Sequence, residues 1–350
     1  VKFIHIADVH LGAKPDAGKP WGANRGREIW DTFEAVIKEA EQKEVDLILI
    51  AGDLFHGQPL QRELKEVNYL LSTLSKAQVV IIAGNHDYIK KNSYYKSFEW
   101  NDNVFFLGDR EMDRIVLDVI NTDIYGFSYH SQEIPDREYD KAKIQDKNKI
   151  NILLGHGGDE KHIPFNKNIL KQLGFHYLAF GHIHKPEVDM SIPMAYAGSL
   201  EPLDANETGE HGYIYGEITN EKCRIELIPY CKRQYIYKTI EDDGSKSNMQ
   251  LKDEIIDYMK ENGTENIYKF TIDGTRNSEI EYDLDYLQCL GNILEVQDCS
   301  SPDYDFIQLQ NENSENLLGK YIKRLYQQDS TQSKKALYYG TKALLDAMKR

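Results

Sequence analysis

The sequence predicts an α/β fold, two stacked sheets with helices outside them, followed by a small α+β domain and C-terminal helices. Three observations predict it. Strand-length apolar runs alternate with helical periods over the first 110 residues, a second such set follows to about residue 230, and the texture changes after Tyr230. The first set reads Phe3 to Ala7, a helix with Ile29, Phe33, Val36, Ile37 and Ala40 on one face, Leu47 to Ala51, a helix over about 60–76, and Val79 to Ala83. Such continuous apolar strands are buried on both faces, as in a βαβαβ unit. The second set runs Ile115 to Phe127, Ile150 to Leu154, a helix near 166–173, Tyr177 to Phe180, Met194 to Ala197, Tyr213 to Ile218 and Arg224 to Pro229. Beyond it the pattern predicts strands over 235–240, 267–272 and 293–296 around a helix over 248–260. From about Glu312 it turns helical, with Leu317, Leu318, Tyr321, Ile322 and Leu325 on one face, and a last helix is expected over 334–349.

At 350 residues, 41% of them apolar, the chain can build one large core and a smaller one. It contains no run of about 18 apolar residues, and its first strand is too short and polar for a signal peptide, so a cytoplasmic protein away from membranes is expected. Cys223, Cys231, Cys289 and Cys299 lack tight spacing and read as reduced, ordinary residues. The net charge of −15 argues at first against a nucleic-acid partner. The acidity is mostly local: residues 241–315 hold 19 acidic and 5 basic side chains, residues 318–350 hold 2 and 8. Divalent cations at a carboxylate-lined site would also offset formal negative charge there.

Five short motifs stand where expected strands run out: Asp8-Val9-His10, Gly52-Asp53, Gly84-Asn85-His86-Asp87, Gly155-His156 and Gly181-His182-Ile183-His184. Ligands gather beyond the carboxyl ends of strands in open α/β sheets. Carboxylate, amide oxygen and imidazole without thiolate suit manganese, iron or zinc. Asp8 and His10, two residues apart at a strand end, can hold one ion with His184, while Asn85, His156 and His182 complete the shell of a second. Asp53 can bridge both. Two such ions about 3.5–4 Å apart can turn water into hydroxide at neutral pH and clamp phosphoryl oxygens during in-line displacement. His86, beside Asn85, is the expected general acid for the leaving oxygen, with His56 touching the phosphate or holding His86. Asp87 is expected to orient a neighbouring histidine. His5, His130, His162, His176 and His211 are read as hydrogen-bonded structural residues, and none of the 23 tyrosines is assigned to base stacking. The loop from Ala13 to Gly26 carries Lys14, Lys19 and Arg25, which can meet an anionic phosphate backbone near the metals, help form a dimer, or simply be solvated.

These motifs resemble the calcineurin-like metallophosphoesterases, whose D-x-H, GD, GNHD, GH and GHxH pattern is matched without a gap. Phe3 to Gly12 and Ala51 to His56 resemble DNA-repair nucleases of the SbcD type, and Glu207 to Gly212 is as similar to a YhaO-like branch. The resemblance covers residues 1–230 well. It implies a four-layer α/β/β/α core, a capping domain over 231–315, and helices over 316–350 that dock an SbcC-like ABC-type ATPase. It further implies a homodimer and manganese-dependent exonuclease cleavage of DNA, with endonuclease activity also open, in which His86 protonates the leaving 3′ oxygen. Two other classes stay open: a generic phosphoesterase for small phosphodiesters or phosphoproteins, and a subunit whose chief role is assembly.

Overall fold

The computed structural model describes residues 1–219 and 222–348. Two compact units are formed, one by Val1–Ile236 with Thr264–Ile267 and the other by Tyr237–Gly263 with Tyr268–Arg350.

In the first unit the chain runs β1 (Lys2–Ile6), α1 (Gly22–Gln42), β2 (Leu47–Ala51), α2 (Gln61–Ser72), β3 (Gln78–Ile82) and β4 (Val104–Phe106). It continues through β5 (Asp113–Leu117), β6 (Thr122–Gly126), β7 (Ile150–His156), α3 (Lys167–Leu173), β8 (Tyr177–Gly181), β9 (Glu187–Asp189), β10 (Met194–Tyr196), β11 (Gly212–Ile218) and β12 (Cys223–Pro229). One sheet has the order β12-β11-β1-β2-β3-β4, the other β5-β6-β7-β8-β10-β9. Alternation along each strand assembles the layers. Phe3, Leu47, Leu49, Val80 and Ile82 meet Ile124, Ile152, Leu154 and Ala179 between the sheets. Ile4, Ile6, Ile48, Ile50, Val79 and Ile81 face Ile29, Phe33 and Val36 of α1 and Leu64, Val67 and Leu71 of α2. On the far side of the second sheet, Leu153, Leu178 and Phe180 pack with Leu170 of α3. The result is the four-layer α/β/β/α sandwich.

Two details depart from the apolar runs. The single run expected from Ile115 to Phe127 is an antiparallel hairpin, β5 against β6, because Asn121 turns the chain at a φ of +48°. The terminal pair β11 and β12 returns to the first sheet, with β11 antiparallel to β1. The parallel strands β1, β2 and β3 thus end just before their motifs, while β7 ends on His156 and β8 on Gly181, so all five motifs stand at carboxyl ends of parallel strands.

The remaining elements are β13 (Tyr235–Asp243), α4 (Asn248–Asn262), β14 (Ile267–Asn277), α5 (Leu284–Gln288), β15 (Ile293–Asp298), β16 (Ser301–Asp303), α6 (Phe306–Glu312), α7 (Leu317–Leu325) and α8 (Thr331–Met348). A four-stranded sheet has the order β13-β14-β15, with β16 beside β14. Ser247 and Gln250 form a capping box that starts α4. Phe306, Leu318, Ile322 and Leu337 bury one face of the last three helices together, whereas Leu317 is exposed. The expected helix end at residue 349 lies outside the described residues. Among those described, no helix is long and apolar enough to cross a membrane.

Candidate metal centre

Past the end of β1 the chain keeps pairing with the chain past β2. Asp8 N donates to Gly52 O, His10 N to Asp53 O (3.0 Å), Leu11 N to Leu54 O, and His56 N back to Leu11 O. This ladder lays Asp8, His10, Asp53 and His56 side by side. Eight non-glycine residues among those described have positive φ, and four are Asp8 (+48°), His10 (+52°), Asp53 (+48°) and His182 (+92°). Each such conformation costs about 1–3 kcal/mol, and strain of this kind collects at functional sites. Gly84 allows the approach of the third motif, since an added Cβ would run into Asp53 Oδ1. With that space open, His86 N donates to Asp53 Oδ1 at 2.8 Å.

The seven expected donors come together. Asn85 Oδ1 is 2.9 Å from His156 Nε2 and 3.1 Å from His182 Nδ1, and Asp53 Oδ2 is 3.4 Å from His156 Nε2. On the other side, His10 Nε2 is 3.2 Å from His184 Nε2 and 3.8 Å from Asp53 Oδ2. Asp53 thus lies between the two groups. Asp8 accepts from His182 N with both oxygens, at 3.1 and 2.9 Å, and its carboxylate belongs to the clusters of both His10 with His184 and Asp53 with His156.

These residues fit a pair of divalent cations. His156 Nδ1 lies 2.8 Å from Ala51 O, and a carbonyl can only accept, so Nδ1 carries a proton and Nε2 is the nitrogen left to face Asn85 Oδ1, itself an acceptor. Burial opposes a charge on His156, but Asp53 and Asp8 push it up to about 9, so in the metal-free chain a proton stands among these acceptors where a cation would displace it; around an ion at about 2.1 Å, octahedral neighbours are about 3 Å apart. Asp8 and Asp53 are both fully or almost fully buried, and among the described residues only imidazoles lie within ion-pair distance of them. Burial of a carboxylate is costly unless it is paired or coordinates a metal. It pushes Asp8 up to about 6 and holds His10 well below its usual range, in the neutral form a ligand requires.

His86 and His56 stand at the exposed edge of this cluster. Their rings stack with centroids 5.5 Å apart, and the His86 ring lies 4.8 Å from that of His10. His56 Nδ1 is 3.3 Å from His10 Nδ1. Asp87 orients backbone rather than a histidine: its carboxylate accepts from Gly84 N, Phe55 N and Tyr95 Oη, which ties the second and third motifs together. Arg25 is withdrawn from any DNA surface. Helix α1 begins at Gly22, which turns Arg25 inward, fully buried, 3.3 Å from Asp16, 3.1 Å from Glu28 and 3.6 Å from Glu201. His5, His130, His176 and His211 bond Tyr177 Oη, Gly108 O, Asn151 N and Ser199 O respectively, away from the donors.

Behind His156, Tyr129 and Tyr139 donate to its carbonyl at 2.9 and 3.1 Å, and Tyr139 Oη accepts from its amide at 2.7 Å. Sequence reasoning also missed Asp159, whose Oδ2 is 2.7 Å from His182 Nε2, and Glu207, whose Oε1 is 2.7 Å from His184 Nδ1. Both sit in loops without periodicity. A carboxylate three residues past Gly155-His156 was the one available signal for Asp159.

The model of a family described as calcineurin-like phosphoesterase matches residues 1–186. Among curated proteins, the uncharacterized metallophosphoesterase YhaO of Bacillus subtilis is 27% identical over 286 residues, covering 70% of this chain and 67% of YhaO. The DNA double-strand break repair protein Mre11 of Aeropyrum pernix is 28% identical over 275 residues, covering 71% and 66%. That of Methanocaldococcus jannaschii is 29% identical over 267 residues, covering 69% and 70%. The chain spans about two thirds of the length of these relatives.

Proposed function

The chain belongs to the calcineurin-like phosphoesterase family, and from that membership we propose a two-metal DNA phosphodiesterase of DNA repair, an exonuclease of the SbcD or YhaO kind. The observation that carries the two-metal part is the pair of donor groups on either side of Asp53. Asp8, His10, Asp53 and His184 would hold one ion, and Asp53, Asn85, His156 and His182 the other, with manganese the favoured metal. Bound there, the ions would activate water and offset charge on a phosphodiester. The chain's own part is to hold that arrangement rigid, through the strained loops and the tyrosines behind His156, and to supply a proton at the open edge. His86 is placed for that transfer to the leaving oxygen, with His56 stacked against it.

DNA as substrate is supported by the similarity to Mre11 proteins of double-strand break repair. A homodimer and an SbcC-like ATPase partner, docked on the helices from Leu317 onward, follow from the resemblance to that nuclease type. The four free cysteines suit a reducing, cytoplasmic setting. The test compares manganese-dependent hydrolysis of end-labelled double- and single-stranded DNA with that of a small bis-phosphodiester, using Asp53→Asn as the control. DNA degradation lost in the control supports the reading; hydrolysis of the small ester alone, with DNA intact, moves the function to a generic phosphodiesterase.

A further inference from the structure

The two histidines of Gly181-His182-Ile183-His184 are each gripped from behind by a carboxylate that belongs to none of the five motifs. We propose that Asp159 and Glu207 are positioning residues, one for each ion, that hold His182 and His184 in the single tautomer and rotation that turns a bare ring nitrogen toward the donors. This rests on the two-ion reading above and assigns it two further residues.

The proton positions follow from the partners. A carboxylate can only accept, so His182 Nε2 carries a proton toward Asp159 Oδ2 at 2.7 Å, and its Nδ1 lone pair faces Asn85 Oδ1 at 3.1 Å. In His184 the roles of the nitrogens are exchanged. Nδ1 donates to Glu207 Oε1 at 2.7 Å and Nε2 faces His10 Nε2 at 3.2 Å. Neighbours on one short segment would therefore coordinate through different nitrogens, and the two carboxylates would decide which. Ring orientation and ligand basicity both depend on such partners.

Each carboxylate is itself fixed. Asp159 Oδ1 accepts from Lys161 N at 2.8 Å and His162 N at 2.9 Å, and His162 Nδ1 lies 2.8 and 2.9 Å from its two oxygens. The His162 ring also lies against His182, with centroids 4.3 Å apart. The chain is bent sharply to achieve this. Gly158 N donates to His162 O at 2.6 Å, and the next residue, Ile163, is fully buried at a φ of +45°. A β-branched residue there is a true outlier, held by the Ile163 N to Ile134 O bond at 2.7 Å. Glu207 is held just as firmly, since Oε2 accepts from Ser199 Oγ and Leu203 N, each at 2.9 Å. Neither carboxylate has a lysine or arginine partner within ion-pair distance among the described residues.

The test is manganese binding to the full chain by equilibrium dialysis, with electron paramagnetic resonance to distinguish a coupled pair of ions from isolated ones, and thermal unfolding of the metal-free protein alongside. Wild type is expected to take two ions. Asp159→Ala should weaken only the ion shared with Asn85 and His156, and Glu207→Ala only the ion shared with Asp8 and His10, each by about 10–100-fold. In each variant the coupled signal gives way to that of an isolated ion, while the metal-free unfolding midpoint holds. Asp159→Asn and Glu207→Gln, whose amide oxygens still accept the ring proton, should recover part of the loss, and they serve if the Glu207→Ala chain, which loses a partly buried carboxylate, does not fold. Two ions bound as tightly by all variants as by wild type would overturn the proposal while leaving the two-ion reading intact, as would equal weakening of both ions by each single change. A wild-type chain that binds fewer than two ions would overturn that reading itself, and this proposal with it.

Discussion

Acid should destabilise the first unit through one residue outside the donor set. His5 lies in β1, fully buried, with Nδ1 2.8 Å from Tyr177 Oη, and burial pushes its imidazole down to about 3 from an ordinary 6.5. A histidine whose folded value is depressed binds its proton more readily in the unfolded chain. Its contribution is therefore intact above pH 6.5 and is lost progressively as pH falls toward 3. Between about pH 7.5 and about pH 5 the loss amounts to about 2 kcal/mol. His5→Phe removes the titration. It also leaves Tyr177 Oη without its partner, a cost of about 1–3 kcal/mol that does not change with pH over that range. The assay is urea unfolding at both pH values with a chelator present, followed by tryptophan fluorescence. All three tryptophans, Trp21, Trp30 and Trp100, lie in the first unit, so the signal reports that unit alone. Wild type should lose about 2 kcal/mol more than the variant on acidification. Equal losses, within about 0.5 kcal/mol, would refute the reasoning, because ordinary surface changes already span that range.

His86→Gln should lower turnover by about 10²–10⁴-fold while both ions stay bound, because its ring stands at the exposed edge and not among the seven donors; unchanged turnover in a pH-controlled assay removes it as the acid. Asp53→Ala should cost occupancy at both positions, counted by elemental analysis after dialysis, since its carboxylate lies between both donor groups. Full retention of two ions would contradict a bridging role. Tyr139→Phe leaves the buried His156 amide without its acceptor and should cost about 1–3 kcal/mol in urea unfolding, and a loss below about 0.5 kcal/mol would mean another group takes that amide over.

The sandwich was legible because its strands are apolar on both faces and its helices on one. The Ile29, Phe33, Val36, Ile37 and Ala40 stripe of α1 is buried throughout. The motifs were legible for a related reason: each begins where an apolar run stops, so strand ends could be found from hydropathy alone. What stayed hidden depends on backbone that leaves the regular periods. The left-handed turn at Asn121 divided one apolar run into two strands. Arg25 looked like a loop cation because no local pattern announces a guanidinium folded against Asp16 and Glu201. Asp159 and Glu207 are separated from their histidines by 23 residues in each case, and only the loops bring them together. Asp87 was placed beside the right residues, but its oxygens satisfy backbone amides of the sharply turned loops.

Anomalous X-ray diffraction from crystals of the full chain grown with manganese tests the central claim most directly. Two peaks about 3.5–4 Å apart are expected, one among Asp8, His10 and His184, the other among Asn85, His156 and His182, with Asp53 touching both. A single peak, or one seated instead among His10, His56 and His86, would contradict it.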